Sequence, residues 1–163
     1  MDEKFDRSIY EDSISLICGK LLGQGISRSV YQFNFDDTKV VKIERPGFFQ
    51  NVIEAEIWSQ IASNKAYSKW FAPCSYLSLN GRILIQDKCE NIDSLPDKVP
   101  NILCDLALDN WGKLPNGKIV VRDYGVNDII PRLMHDHKSP VLEDVDNLDQ
   151  LENESLTLQD HLP

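Results

Sequence analysis

The sequence predicts an α+β fold: a five-stranded antiparallel sheet with one main helix inserted after the third strand. Three observations carry this expectation. Lys39 to Glu44, KVVKIE, is a short run rich in β-branched residues, which suit a pleated, half-buried surface. Phe49, Ile53, Ile57 and Ile61 recur every four residues and mark one face of a helix over 49–63. Asn80-Gly81 stands between two strand-like runs, 75–79 and 82–87, and is a tight hairpin signal.

The elements follow in chain order. Residues 14–22, ISLICGKLL, read as a first strand, and Val30 to Phe35 as a second. Asp36-Asp37-Thr38 is a turn before the third strand, and Arg45-Pro46-Gly47 breaks the chain ahead of the helix. The first half is therefore β-β-β-α-β-β. In the second half, Leu95 to Pro100 is flanked by proline and Ile102-Leu103 is apolar. Leu114-Pro-Asn-Gly-Lys118 turns into a strand at Ile119 to Val121, and residues 126–138 have the composition of a short helix.

At 163 residues the chain has the length of one domain with one hydrophobic core. No apolar run reaches the ~18 residues of a membrane-spanning helix, and the polar N-terminus lacks the apolar stretch of a leader. A cytoplasmic location is expected, with no membrane partner. The net charge of −9 is unevenly spread: residues 141–163 hold seven acids and no Lys or Arg, leaving 17 basic against 19 acidic residues elsewhere. The chain thus divides into a domain over 1–140 and an acidic tail over 141–163. A nearly neutral body with an acidic tail argues against general nucleic-acid affinity, which needs a basic surface. The tail's Leu148, Leu151 and Leu158 fit either an amphipathic helix that docks elsewhere or a disordered segment. Cys18, Cys74, Cys89 and Cys104 form no C-x-x-C pair and read as small hydrophobes in a reducing compartment. His135-Asp136-His137 does not place both histidines on one helix face, so it is a poor metal pair. Trp58, Trp70 and Trp111 read as core anchors.

Gly23 and Gly25 lie between two strands, where the lack of a Cβ lets a backbone approach a phosphate. A turn between strands can also hold two glycines for its own sake. Lys42 shares a strand face with Val40, so a face that takes an apolar side chain also takes this ammonium. An inward-facing lysine wants a carboxylate; Glu54 on the helix fits, with Glu56 as a rival on another side of that helix. Asp105 is followed five residues later by Asn110, and Asp123-Tyr124-Gly125 follows a short hairpin. A carboxylate that positions a hydroxyl, then an amide and a second carboxylate that supply hard oxygen ligands, suit Mg²⁺ chemistry.

In this order the motifs resemble those of the protein kinase superfamily. Gly23-x-Gly25-x-x-Arg28-x-Val30 resembles the glycine-rich loop, with Arg28 where a third glycine usually stands. Val40-Val-Lys42 resembles the strand of the phosphate-binding lysine, and Glu54 matches the helix glutamate that pairs with it. Ile85 to Cys89 falls at the hinge that holds adenine. Asp105, Asn110 and Asp123-Tyr-Gly resemble the catalytic-loop and metal-binding motifs. The resemblance spans about residues 16–126, and the flavour is that of short kinase-like proteins of bacteria and their phages. It implies a kinase-like N-lobe with a heavily truncated C-lobe. It implies ATP and Mg²⁺ as cofactors, with Asp105, Lys42 and Glu54 catalytic, and Asn110 and Asp123 on the metal. Gly23, Gly25, Ser27, Val30, Asp87 and Cys89 would line the nucleotide.

The sequence also departs from the family. Leu103-Cys104 replaces the usual His-Arg, only fifteen residues separate Cys89 from Asp105, and no Ala-Pro-Glu follows. Two functions stay open: a phosphotransferase acting on protein Ser/Thr or on itself, and a pseudokinase-like binder that inhibits a host protein. A small-molecule kinase of the aminoglycoside type is a third, weighed down by the short chain. A second copy, in a homodimer, could supply the missing lobe.

Overall fold

A computed structural model describes residues 3–103, 105–125, 129–130 and 141–145, with side chains from residue 9 onward. Helix α1 (Glu3–Ile17) leads into β1 (Cys18–Gln24), β2 (Arg28–Phe33) and β3 (Lys39–Glu44). Helix α2 (Gln50–Ile61) and the single turn α3 (Lys65–Ser68) precede β4 (Cys74–Leu77) and β5 (Ile83–Asp87). The five strands form one antiparallel sheet in the order β1-β2-β3-β5-β4. This is the α+β arrangement the sequence predicts, a five-stranded antiparallel sheet with one main helix after the third strand.

Register decides what the sheet presents to α2. Val30 pairs with Lys42, and Lys42 with Leu84, so these three side chains stand in a row on one face. Arg28 and Glu44 make the next row on that face. Helix α2 packs there through Asn51, Glu54, Ile57 and Ile61, all buried. Its N-cap residue, Phe49, supplies no side-chain cap. Instead the Glu44 carboxylate, reaching from the end of β3, accepts from the backbone N–H of Gln50 at 2.6 Å and of Asn51 at 3.3 Å. A carboxylate on the positive end of a helix satisfies otherwise orphaned donors. The strand–helix joint is thereby fixed by charge as well as by packing.

The main core lies beyond α2. Ile57 and Ile61 meet Phe71, Trp111, Val121 and Tyr124 in one buried cluster, with Trp58 and Trp70 packed against it half-buried. The second half supplies this side through β6 (Lys98–Pro100), a 3-10 turn at Leu108–Asn110, and the hairpin of β7 (Trp111–Lys113) and β8 (Ile119–Val121). Gly117, with φ of 84°, sits at the hairpin turn foreseen over 114–118. Strand β8 also runs beside residues 70–72, with Val121 N–H donating to Trp70 and Ala72 N–H to Val121. Among the described residues, no helix is long and apolar enough to cross a membrane.

Two expectations change. Residues 14–17 are helical, so the first strand starts at Cys18 and not at Ile14. Ile14 and Ile17 are the half-buried positions of that last turn, a spacing of three that belongs to a helix. Asn34 closes that helix: its backbone N–H donates to the Ile17 carbonyl and its side chain to the Leu16 carbonyl. Phe49 does not join the buried face of α2 but stands exposed at its N-cap. Within the acidic segment, β9 (Leu142–Asp144) pairs antiparallel with β6, whereas Leu148, Leu151 and Leu158, on which the choice between helix and disorder rests, lie outside the described residues. Cys104, His135 to His137, most of 126–138 and the acidic tail from 146 lie outside the described residues.

Candidate functional site

The site grows from the sheet row that faces α2. Lys42 is 4% exposed, so it does not lie on a solvated face. Its ammonium donates to Glu54 Oε2 at 2.8 Å and to the carbonyl of Arg122 at 2.6 Å. Glu54 is fully buried on α2, whereas Glu56 is exposed, which settles the rivalry between them geometrically. The second Glu54 oxygen accepts from Arg28 Nη2 at 2.5 Å and from the backbone N–H of Tyr124 at 3.0 Å. One carboxylate therefore joins two strands of the sheet to the Asp-Tyr-Gly segment.

Arg28 is the residue that the sequence did not mark as functional. It is 3% exposed and bonds three side chains: Glu54, Asn51 at 3.2 Å, and the carboxylate of Asp123. The Asp123 side chain stays 45% exposed. A signal was present in the sequence. Arg28 stands two residues before Val30, which is paired with Lys42, so it projects onto the same face as that lysine.

The electrostatics follow from this crowding. Burial opposes the charge on Glu54, but Lys42 and Arg28 outweigh it and hold its carboxyl below the usual range. Burial likewise opposes the charge on Arg28, and Glu54 with Asp123 reverse that, so its pKa is raised and the guanidinium keeps its proton. Lys42 moves down, driven by burial and by the neighbouring Arg28 against the pull of Glu54. Removing one partner from such a buried network leaves an uncompensated charge and costs about 3–5 kcal/mol.

The Asp-Tyr-Gly segment is anchored residue by residue. Tyr124 is buried, stands edge-on to Phe71 with ring centroids 5.0 Å apart, and donates its hydroxyl to the Ala72 carbonyl at 2.8 Å. At Gly125, a Cβ would come within 2.7 Å of the Gln50 carbonyl oxygen and 3.0 Å of Gln50 Cα. Only glycine lets this segment pass so close to the start of α2. Asn110 binds the same segment through its backbone, its carbonyl accepting from Arg122 at 2.7 Å and Asp123 at 3.2 Å.

The other sequence candidates fall around this centre. Gly25 N–H donates to the Arg28 carbonyl at 2.8 Å, closing the turn between β1 and β2. A Cβ at Gly23 would meet nothing within 4 Å, so the fold itself does not require glycine there. Ser27 is bonded to Gln50 and Val30 lies half-buried beside Lys42. The Asp87 carboxylate is engaged by Lys39. Cys89 packs half-buried on Ala72, Leu114 and Val120. The backbone N–H groups of Asp87, Lys88 and Glu90 donate to Pro73, Thr38 and Lys113. Asp105 is apart from the cluster: it is exposed, and its carboxylate accepts from Ala107 N–H at 3.2 Å within its own turn.

Asn110 and Asp123 offer one amide and one carboxylate, and the carboxylate already holds a protonated guanidinium. Among the described residues, no group of three or more His, Cys, Asp or Glu could hold a metal ion. A dication at Asp123 would have to share that carboxylate with the guanidinium, a like charge in direct contact with it. The residues as folded do not fit Mg²⁺ at Asp123.

Comparison with known proteins adds little. No family model matches the chain, and no curated protein matches it. Among solved structures, the chain is similar to APH(2")-IIa, an aminoglycoside phosphotransferase, in its ternary complex with streptomycin and ATP. That match is 24% identical with a TM-score of 0.37, and covers 53% of this chain and 30% of that chain. This chain therefore corresponds to under a third of the length of that protein.

Proposed function

We propose that this protein binds ATP against the α2-facing side of its sheet and belongs functionally with the kinase-like phosphotransferases. The observation that carries the reading is the buried Lys42–Glu54 ion pair, set beside the Asp123 segment. An ammonium has three N–H donors. Glu54 and the Arg122 carbonyl take two, and the third would go to a phosphate oxygen. Gly23 and Gly25 keep the neighbouring turn free of side chains where a triphosphate would lie. Val30 and Cys89 would bracket the base, with the hinge at Asp87 to Cys89 holding its edge. Asp105, with an exposed carboxylate, would receive the acceptor hydroxyl of a protein Ser/Thr or of this chain itself. Catalysis would then be positioning and charge stabilisation.

The Arg28–Asp123 ion pair favours a second reading, in which the ATP site is kept for binding and the protein acts by gripping a partner protein. One experiment addresses both. ATP at a hundredfold excess over its dissociation constant should stabilise the fold by about 2.7 kcal/mol, read as a rise in Tm. Lys42→Met should abolish that rise. Transfer of radiolabel from ATP to the chain or to a generic protein substrate separates the readings. Label above the Lys42→Met background supports the transferase; an ATP shift without label supports the binder. No ATP shift at millimolar concentration removes both.

A further inference from the structure

We infer that Arg28 is the resident cation of this site, standing at Asp123 where a divalent metal would otherwise be needed, so that ATP binds here without magnesium. The inference rests on the ATP reading above. Its ground is the way Arg28 is built in. The side chain is buried and held from two directions, by Asn51 and Glu54 of α2 and by Asp123 of the second half. Its backbone is held as well: Arg28 pairs with Glu44 across the sheet, and its carbonyl accepts from Gly25 N–H. A surface arginine that met a carboxylate by chance would show none of this anchoring.

Charge completes the case. Arg28 and Lys42 are two cations; Glu54 and Asp123 are two carboxylates; the formal charges cancel. Asp123 without a cation would repel a triphosphate. With Arg28 in place it does not, and the anion can approach Lys42 directly. A dication added to the same cluster would compete with Arg28 for the Asp123 carboxylate. Glycine at position 28, as in the glycine-rich loop this turn resembles, would leave Asp123 free for a metal. The substitution of Arg for Gly and the closed ion pair are thus two sides of one arrangement.

The test measures ATP binding to the full chain by calorimetry, once with excess MgCl₂ and once with EDTA. The expected result is that the two dissociation constants agree within about threefold, under 1 kcal/mol. Binding that is about tenfold or more tighter with magnesium would overturn the inference and leave the ATP reading standing. Absence of binding in both buffers would instead remove the ATP reading, and this inference with it. Arg28→Gln is expected to make binding magnesium-dependent by about tenfold or more, because Asp123 is then free to take the metal. An Arg28→Gln protein still indifferent to magnesium would sink the role given to Arg28. Should that variant not fold, Arg28→Lys decides: it keeps the charge and is expected to stay indifferent, and magnesium dependence in it would overturn the inference.

Discussion

The guanidinium of Arg28 bonds the carboxylate of Asp123, a residue 95 positions further along the chain. The contact joins the glycine turn to the Asp-Tyr-Gly segment, and Glu54 ties both to α2. The same three residues thus hold the two halves of the chain together and shape the candidate site, so stability and function should respond together to their substitution.

Glu54→Ala should cost about 3–5 kcal/mol, since it leaves Arg28 and Lys42 buried with one carboxylate between them. Glu56→Ala, on the exposed side of α2, should stay within about 0.5 kcal/mol of wild type. Urea denaturation of both variants checks this. Equal losses would mean that the helix, and not the ion network, sets the cost.

The pH dependence has a definite sign. The folded-state pKa of Glu54 lies below its ordinary value of 4.5, so its ionisation favours the native state. That contribution is present above 4.5 and is lost as pH falls through the lower folded value. The stability gap between wild type and Glu54→Gln should therefore be full at neutral pH and narrow below pH 4.5. Denaturation midpoints for the two proteins between neutral and acid pH give the comparison; a gap that widens in acid would contradict it.

Two glycines should separate cleanly. Gly125→Ala forces a methyl onto the Gln50 backbone and should destabilise by about 1–3 kcal/mol. Gly23→Ala meets open space and should leave Tm nearly unchanged while weakening ATP binding. Loss of stability in Gly23→Ala would mean that this glycine serves the fold.

The thiols offer a probe of packing. Burial pushes Cys74 and Cys89 up to about 11, which leaves little thiolate at neutral pH. Iodoacetamide should label both at least about tenfold more slowly in the folded chain than in urea, as read by peptide mass spectrometry. Folded-state labelling should accelerate as pH rises toward 11. Fast labelling at neutral pH would show that these sites are open.

Much of this architecture was legible in the chain itself. The β-branched run at 39–44, the four-residue period of α2 and the Asn-Gly turn at 80–81 are local patterns. They write the sheet and its helix in any context that buries one face. The choice between strand and helix at 14–17 was not legible, because a short apolar run satisfies either period until neighbours such as Asn34 donate to its carbonyls. The order of Lys42, Glu54, Asn110 and Asp123 could be read in one dimension, and so could the oddity of Arg28 among glycines. What only the tertiary structure decided is where the charge of Arg28 goes. Its partners come from α2 and from beyond the hairpin, and no local rule pairs residues so far apart. Ion pairing depends on distance and burial in space, and those exist only once the sheet, the helix and the second half have closed on one another.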